Sequence, residues 1–286
     1  MFSFIANMFG YILEWLYNLV GQNFGIAIIL FTLLLRLLLL PITIKQQTSM
    51  KKSAEIQGKV KEIQFKYKNN PEQMNKEVME LYKREKMSPF SGCLGTILQV
   101  IIILSVFWLV SRPLTYMKKI DTNIIDGYKN EITEQDGKIS NYYEIEIIQK
   151  KAEVDENVRV NMNFLGLDLS KVPSQNLKDF TVYIIPVLYV ASSFLSIRLT
   201  TNRNKTKKGK YLGDGTEKTT NNAEAPDMTE QMTKSMSWIT PIMAVSIAFI
   251  APLGLAMYWF VSNLLMIVER LVINKYVDSK EDKANV

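Results

Sequence analysis

The chain has 286 residues, 48 % of them hydrophobic, with a formal net charge of +6 and no histidine. Its one cysteine, Cys93, and the missing histidines exclude His-based acid/base chemistry, His/Cys metal sites and an intramolecular disulfide. The apolar residues are gathered in blocks, so the composition describes a polytopic membrane protein, and the place of the basic residues matters more than their sum.

Residues 3–20 put Phe4, Ile5, Met8, Phe9, Ile12, Leu13 and Leu16 at helical spacing, broken by Ser3, Asn7, Glu14 and Asn18. This pattern predicts an amphipathic helix over 1–23 lying in the membrane interface. As a further span it would have to find partners for Asn7 and Glu14 in hydrocarbon. The start lacks a basic n-region and a small-residue cleavage site, so no cleaved signal peptide is expected.

The first predicted span covers 24–44 and carries Arg36 near its middle, about a dozen residues from the start of the run and too far for easy snorkelling. A lone intramembrane charge is costly and marks function. Thr32, Arg36 and Thr43 fall near one helix face, which gives this helix a polar stripe. No set of acidic residues in the spans offers Arg36 a counter-ion, so the guanidinium is expected to be held by water.

Loop 45–89 reads as two paired helices. Ser53, Ile56, Val60, Ile63 and Tyr67, then Met74, Val78 and Leu81, repeat at alternating three and four residues. Asn69-Asn70-Pro71 turns the chain, with Asn70 as cap, Pro71 at the first helical position and Gln73 as a capping-box partner. Beyond it, 90–111 is free of charge, carries polar Thr96 and Gln99 three residues apart, and is long enough to span. In the loop 112–179 the alternation of 142–148 and 158–164 suggests a small β-hairpin.

Further spans are expected at 180–197, 236–251 and 252–273, the last two divided by the tight turn Pro252-Leu253-Gly254. Between them, 198–235 is rich in Thr, Asn, Lys and Gly and reads as a loop, with Met228, Met232 and Met236 as an adaptable stripe. The last span carries a polar and aromatic patch of Tyr258, Trp259, Ser262 and Asn263. Loop 45–89 holds eleven Lys and Arg against six Asp and Glu, and 198–235 holds eight against five. The positive-inside rule then predicts five spans with the amino terminus outside and the tail 274–286 in the cytoplasm.

Four stretches together resemble the YidC/Oxa1/Alb3 membrane protein insertases, in their short bacterial form. They are Gly25 to Thr43 around Arg36, Gln47 to Lys51, Glu77 to Lys86 with Pro89, Gly92 and Cys93, and Pro252 to Asn263; Phe164-Leu-Gly-Leu-Asp-Leu-Ser170 adds to them. Gly95 and Ile101 depart from prolines frequent in the family, and 112–160 looks like an insertion. The resemblance implies an all-α protein with five transmembrane helices around a hydrophilic groove, an amino-terminal interfacial helix and a cytoplasmic two-helix hairpin. In that groove Arg36 matches the family arginine and Thr32, Gln99 and Trp259 match lining positions; Tyr258 and Asn263 join them from the polar patch. It further implies a non-enzymatic insertase and chaperone in a bacterial plasma membrane, without cofactor or metal. Its partners would be nascent membrane proteins, the lipid bilayer, the ribosome, the signal recognition particle pathway and the Sec translocon, with no direct nucleic-acid contact. The competing reading of Arg36 alone is a small anion-binding transporter or pore.

Overall fold

Mostly helical, the chain is described by a computed structural model over residues 2–86, 94–211 and 245–284. Helix α1 spans Phe2–Leu19, α2 Phe24–Lys66, α3 Pro71–Arg84 and α4 Leu94–Ser111. Short helices α5 (Pro113–Tyr116), α6 (Thr122–Asp136) and α7 (Tyr143–Lys151) follow, then strands β1 (Asn163–Phe164) and β2 (Leu167–Asp168), α8 (Ile184–Tyr211) and α9 (Leu253–Ala284). Among the described residues three helices are long and apolar enough to cross a membrane, over Phe24–Ser49, Phe180–Leu199 and Leu253–Ile273, and Ile97–Ser111 is a shorter apolar helix. Of the expected spans, most of 236–251 and the start of 90–111 lie outside the described residues; 245–250 is helical. The Met228 to Met236 stripe and Cys93 lie outside them as well.

Helix α2 does not stop at residue 44. It is capped by Asn23, whose side chain accepts from the Ile26 N–H, and runs 43 residues from Phe24 through Pro41 to Lys66. At ~1.5 Å per residue it is about 64 Å long, twice the ~30 Å hydrocarbon thickness, so one continuous helix joins the span to the hairpin. The turn to α3 follows the expected chemistry: Asn70 Oδ1 accepts from the Gln73 N–H with Pro71 at the first position. The capping box is not completed, because the Gln73 side chain donates forward to Glu77. Ile56 and Leu81 are the buried residues of the seam, and Lys52 and Lys59 bind the end of α3 through the Glu85 carbonyl and carboxylate.

Residues 112–179 fold over one end of the bundle. The end of α4 leads into this cap, the start of α8 leaves it, and the starts of α2 and α9 are bonded to it. Phe24 N–H donates to the Asn161 carbonyl, while Leu253 and Gly254 N–H donate to Lys171 and Leu169. These bonds satisfy amide donors that a helix start leaves without intrahelical partners. Gly25 lets the Phe164 ring lie on α2, since a Cβ there would sit 2.6 Å from it. The hairpin holding that ring turns through Leu165 and Gly166, both at positive φ, as a two-residue hairpin loop requires.

The expected strand over 142–148 is instead helical. Tyr143–Lys151 forms α7 and buries Glu144, Ile145, Ile147 and Ile148, a breadth of burial that a seven-residue alternation does not reveal. The only strands among the described residues are the two-residue pair at Asn163–Phe164 and Leu167–Asp168. Helix α1 touches this same cap at both ends: Ser3 and Asn7 reach Tyr116 and Lys119, and the Tyr17 hydroxyl accepts from Asn161 N–H. Its Ala6, Phe9, Leu13 and Leu16 are buried, and its Phe4, Met8, Tyr11, Trp15 and Leu19 are exposed.

Candidate functional site

Helices α2 and α9 start side by side under the cap and run in the same direction. At ~1.5 Å per residue, Arg36 lies about 18 Å along α2, and Ser262 and Glu269 about 14 Å and 24 Å along α9, so the arginine faces the interval between them. Its Nη2 donates to Ser262 Oγ at 2.7 Å and to the Ser262 carbonyl at 3.2 Å. Its Nη1 lies 3.5 Å from Glu269 Oε2. Arg36 is therefore not held by water alone: the last span supplies a carboxylate, and the expectation that no acidic partner exists is corrected. The side chains of Arg36 and Glu269 are 15 % and 8 % exposed. Arg270, the next residue, lies within electrostatic reach of both.

Tyr258, Ser262 and Glu269 follow one face of α9 at i, i+4 and i+11, and Tyr258 is buried. Trp259 and Asn263 lie on the neighbouring face and turn to α8. The Trp259 ring centroid is 6.0 Å from that of Tyr189, and Asn263 Nδ2 donates to Ser192 Oγ at 2.9 Å and Ser193 Oγ at 3.2 Å. Thr32 is 1 % exposed and its hydroxyl donates to the Ile28 carbonyl of its own helix; Thr43 does the same with Leu39. Gln99 is half-buried on α4. The structure thus joins Arg36 to Ser262 and Glu269, and joins Trp259 and Asn263 to α8.

Glu269 is the residue that sequence reasoning missed. It stands near the end of the apolar run, seven residues after Ser262, and two-turn spacing on a polar face was the available signal. A guanidinium has five N–H donors and suits planar carboxylates, so the cluster can bind an anionic side chain without making or breaking a bond. Among the described residues no group of three or more Cys, Asp or Glu is placed to hold a metal ion.

The cap has its own electrostatics. Arg112 stacks on Trp108, with its guanidinium carbon 4.1 Å from the ring centroid, and faces the Tyr143 ring at 5.4 Å. Beside it, buried Glu144 accepts from Thr115 N–H at 2.9 Å and Thr115 Oγ1 at 2.6 Å. Burial pushes its carboxyl above the ordinary value, and the Thr115 bonds and the Arg112 charge oppose this. The hydrogen bond from Lys171, helped by those from Thr181, holds Asp179 down to about 2.

A mostly helical chain with an arginine held between two candidate membrane-crossing helices defines a multi-pass membrane protein with a polar cluster between them. The model of the 60Kd inner membrane protein family matches residues 15–281, and the chain belongs to that family, the YidC/Oxa1 family. A Fusobacterium nucleatum protein named membrane protein insertase YidC is 26 % identical over 96 % of this chain and 98 % of its own length. Proteins of the same name from Wolinella succinogenes and Treponema denticola are 30 % and 26 % identical over 99 % and 93 % of the chain. The chain spans only 39 % and 36 % of their lengths.

Proposed function

We propose that the chain is a membrane protein insertase and chaperone, which receives nascent membrane proteins in a hydrophilic groove and releases their apolar segments into lipid. The observation that carries this is Arg36, a guanidinium drawn into the bundle in a chain whose relatives are named insertases. A polar tail crossing about 30 Å of hydrocarbon meets a cost of several kcal/mol for each unsatisfied polar group. A polar groove entered from the cytoplasm shortens that path, and Arg36 attracts acidic residues of the tail. Outward movement of a negative charge gains about 2.3 kcal/mol per 100 mV.

In this reading five spans enclose the groove, Thr32, Gln99, Tyr258, Trp259 and Asn263 line it with Arg36, and the cap closes its external end. Helix α1 lies in the outer leaflet interface, a reading supported by its two ends meeting one cap and by its exposed aromatic stripe. The hairpin and the 198–235 loop meet ribosome, targeting factors or the Sec translocon. The amino terminus is outside, the carboxyl terminus is in the cytoplasm, and no covalent step is involved. The transporter or pore alternative finds no support among the relatives.

Depletion tests the reading. Small one- and two-span proteins with acidic external tails should fail to insert without this protein, and normal insertion contradicts the proposal. In complementation, Arg36→Ala should lower their insertion about tenfold, the scale of one charge-assisted hydrogen bond of about 1.5 kcal/mol. Crosslinking probes at Thr32, Gln99 and Trp259 should all reach a stalled nascent chain; contacts from only one contradict a shared groove.

A further inference from the structure

Glu269 holds Arg36 by a long contact and is itself left with an unpaired oxygen. The contact is 3.5 Å long, whereas Ser262 takes the shorter bonds at 2.7 and 3.2 Å. Among the described residues the other carboxylate oxygen, Oε1, is buried and has no hydrogen-bond donor. A buried ion pair stabilises a fold only when its geometry is good and its remaining lone pairs are used. This pair meets neither condition, so packing alone does not account for a buried carboxylate at this place. What it does is occupy, with one negative charge, the cation that an acidic passenger would bind.

Resting on the insertase reading, we infer that Glu269 is a specificity-determining residue: a resident competitor that an entering acidic segment must displace from Arg36. Ser262 keeps the guanidinium in place during the exchange, since its two bonds do not depend on the carboxylate. A single passenger carboxylate competes with Glu269 on nearly even terms, while a tail with several acidic residues displaces it through repeated attempts at high local concentration. Glu269 thus sets how much negative charge a tail needs. The displaced carboxylate, with its open Oε1, accepts an N–H from the passenger backbone or a neighbouring basic side chain.

The test is insertion of a reporter series with no, one, two or three acidic residues in the translocated tail, in cells depleted of their own insertase and complemented by full-length variants. Glu269→Gln keeps the side-chain size and an oxygen for Arg36 but removes the competing charge. Insertion of the one-acid tail should rise about threefold, the scale of a weak ion pair, while the three-acid tail changes little. A second variant, the exchange Arg36→Glu with Glu269→Arg, restores a pair in the membrane and should reverse the preference toward basic tails. A purely structural pair predicts wild-type preference from the exchange, and that result overturns the inference. So does a Glu269→Gln protein, present at normal membrane levels, that follows wild type at every tail charge. Wild-type insertion indifferent to tail charge instead overturns the groove reading itself.

Discussion

At the scale of single residues, Arg36 was legible because a charge in an apolar run stands out within its own segment. Its counter-ion was not, because Glu269 lies 233 residues away and only the fold brings it to 3.5 Å. Asn263 shows the same limit: its type suggested a polar contact, but its partners Ser192 and Ser193 come from another span. Glu144 gives a separate test in the cap. Its folded carboxyl value is raised above 4.5 by burial, so its contribution to stability is full below 4.5 and is lost as pH rises through the folded value. Thermal unfolding of the purified protein should therefore show a loss of stability as pH rises from about 4.5 toward neutrality. Glu144→Gln should flatten that slope, and an unchanged slope assigns it to other groups.

At the scale of elements, local signals did well where the element satisfies itself. The Asn70 cap and Pro71 marked the start of α3, and the three-four spacing marked its seam with α2. The boundary at residue 44 is invisible in the structure because the backbone of α2 stays helical while its surroundings change, and composition records only the surroundings. Residues 142–148 failed for another reason: helix α7 packs on several sides, and the cap decides its form. Helix contacts through glycine could not be inferred at all. Gly10 lies where an added Cβ would be 1.8 Å from the Tyr116 carbonyl oxygen, a backbone atom that cannot swing aside. Gly10→Ala should therefore separate α1 from α5 and cost roughly 1–3 kcal/mol, the range for overpacking. Gly25→Ala meets a side chain instead, the Phe164 ring and its Cβ, so combination with Phe164→Ala, which removes the ring and leaves the Cβ, should recover part of its loss. Melting temperatures of the four variants decide this, and additive losses would contradict the contact.

For the whole molecule, one end of the bundle carries the cap and the other carries the hairpin continuous with α2. The starts of α2 and α9 are tied to the cap by backbone bonds, so that end is fixed, while the Arg36 cluster lies farther along the same helices. In the proposed function, with the cap outside the membrane, this cluster would meet a passenger entering from the hairpin side. The most direct measurement places a photocrosslinking residue at Ser262, next to Arg36, and compares stalled nascent chains with acidic and neutral tails. Strong crosslinks to the acidic tail, lost in Arg36→Ala, are predicted; equal crosslinking of both tails, or crosslinks that survive Arg36→Ala, would contradict a groove arginine that receives the polypeptide.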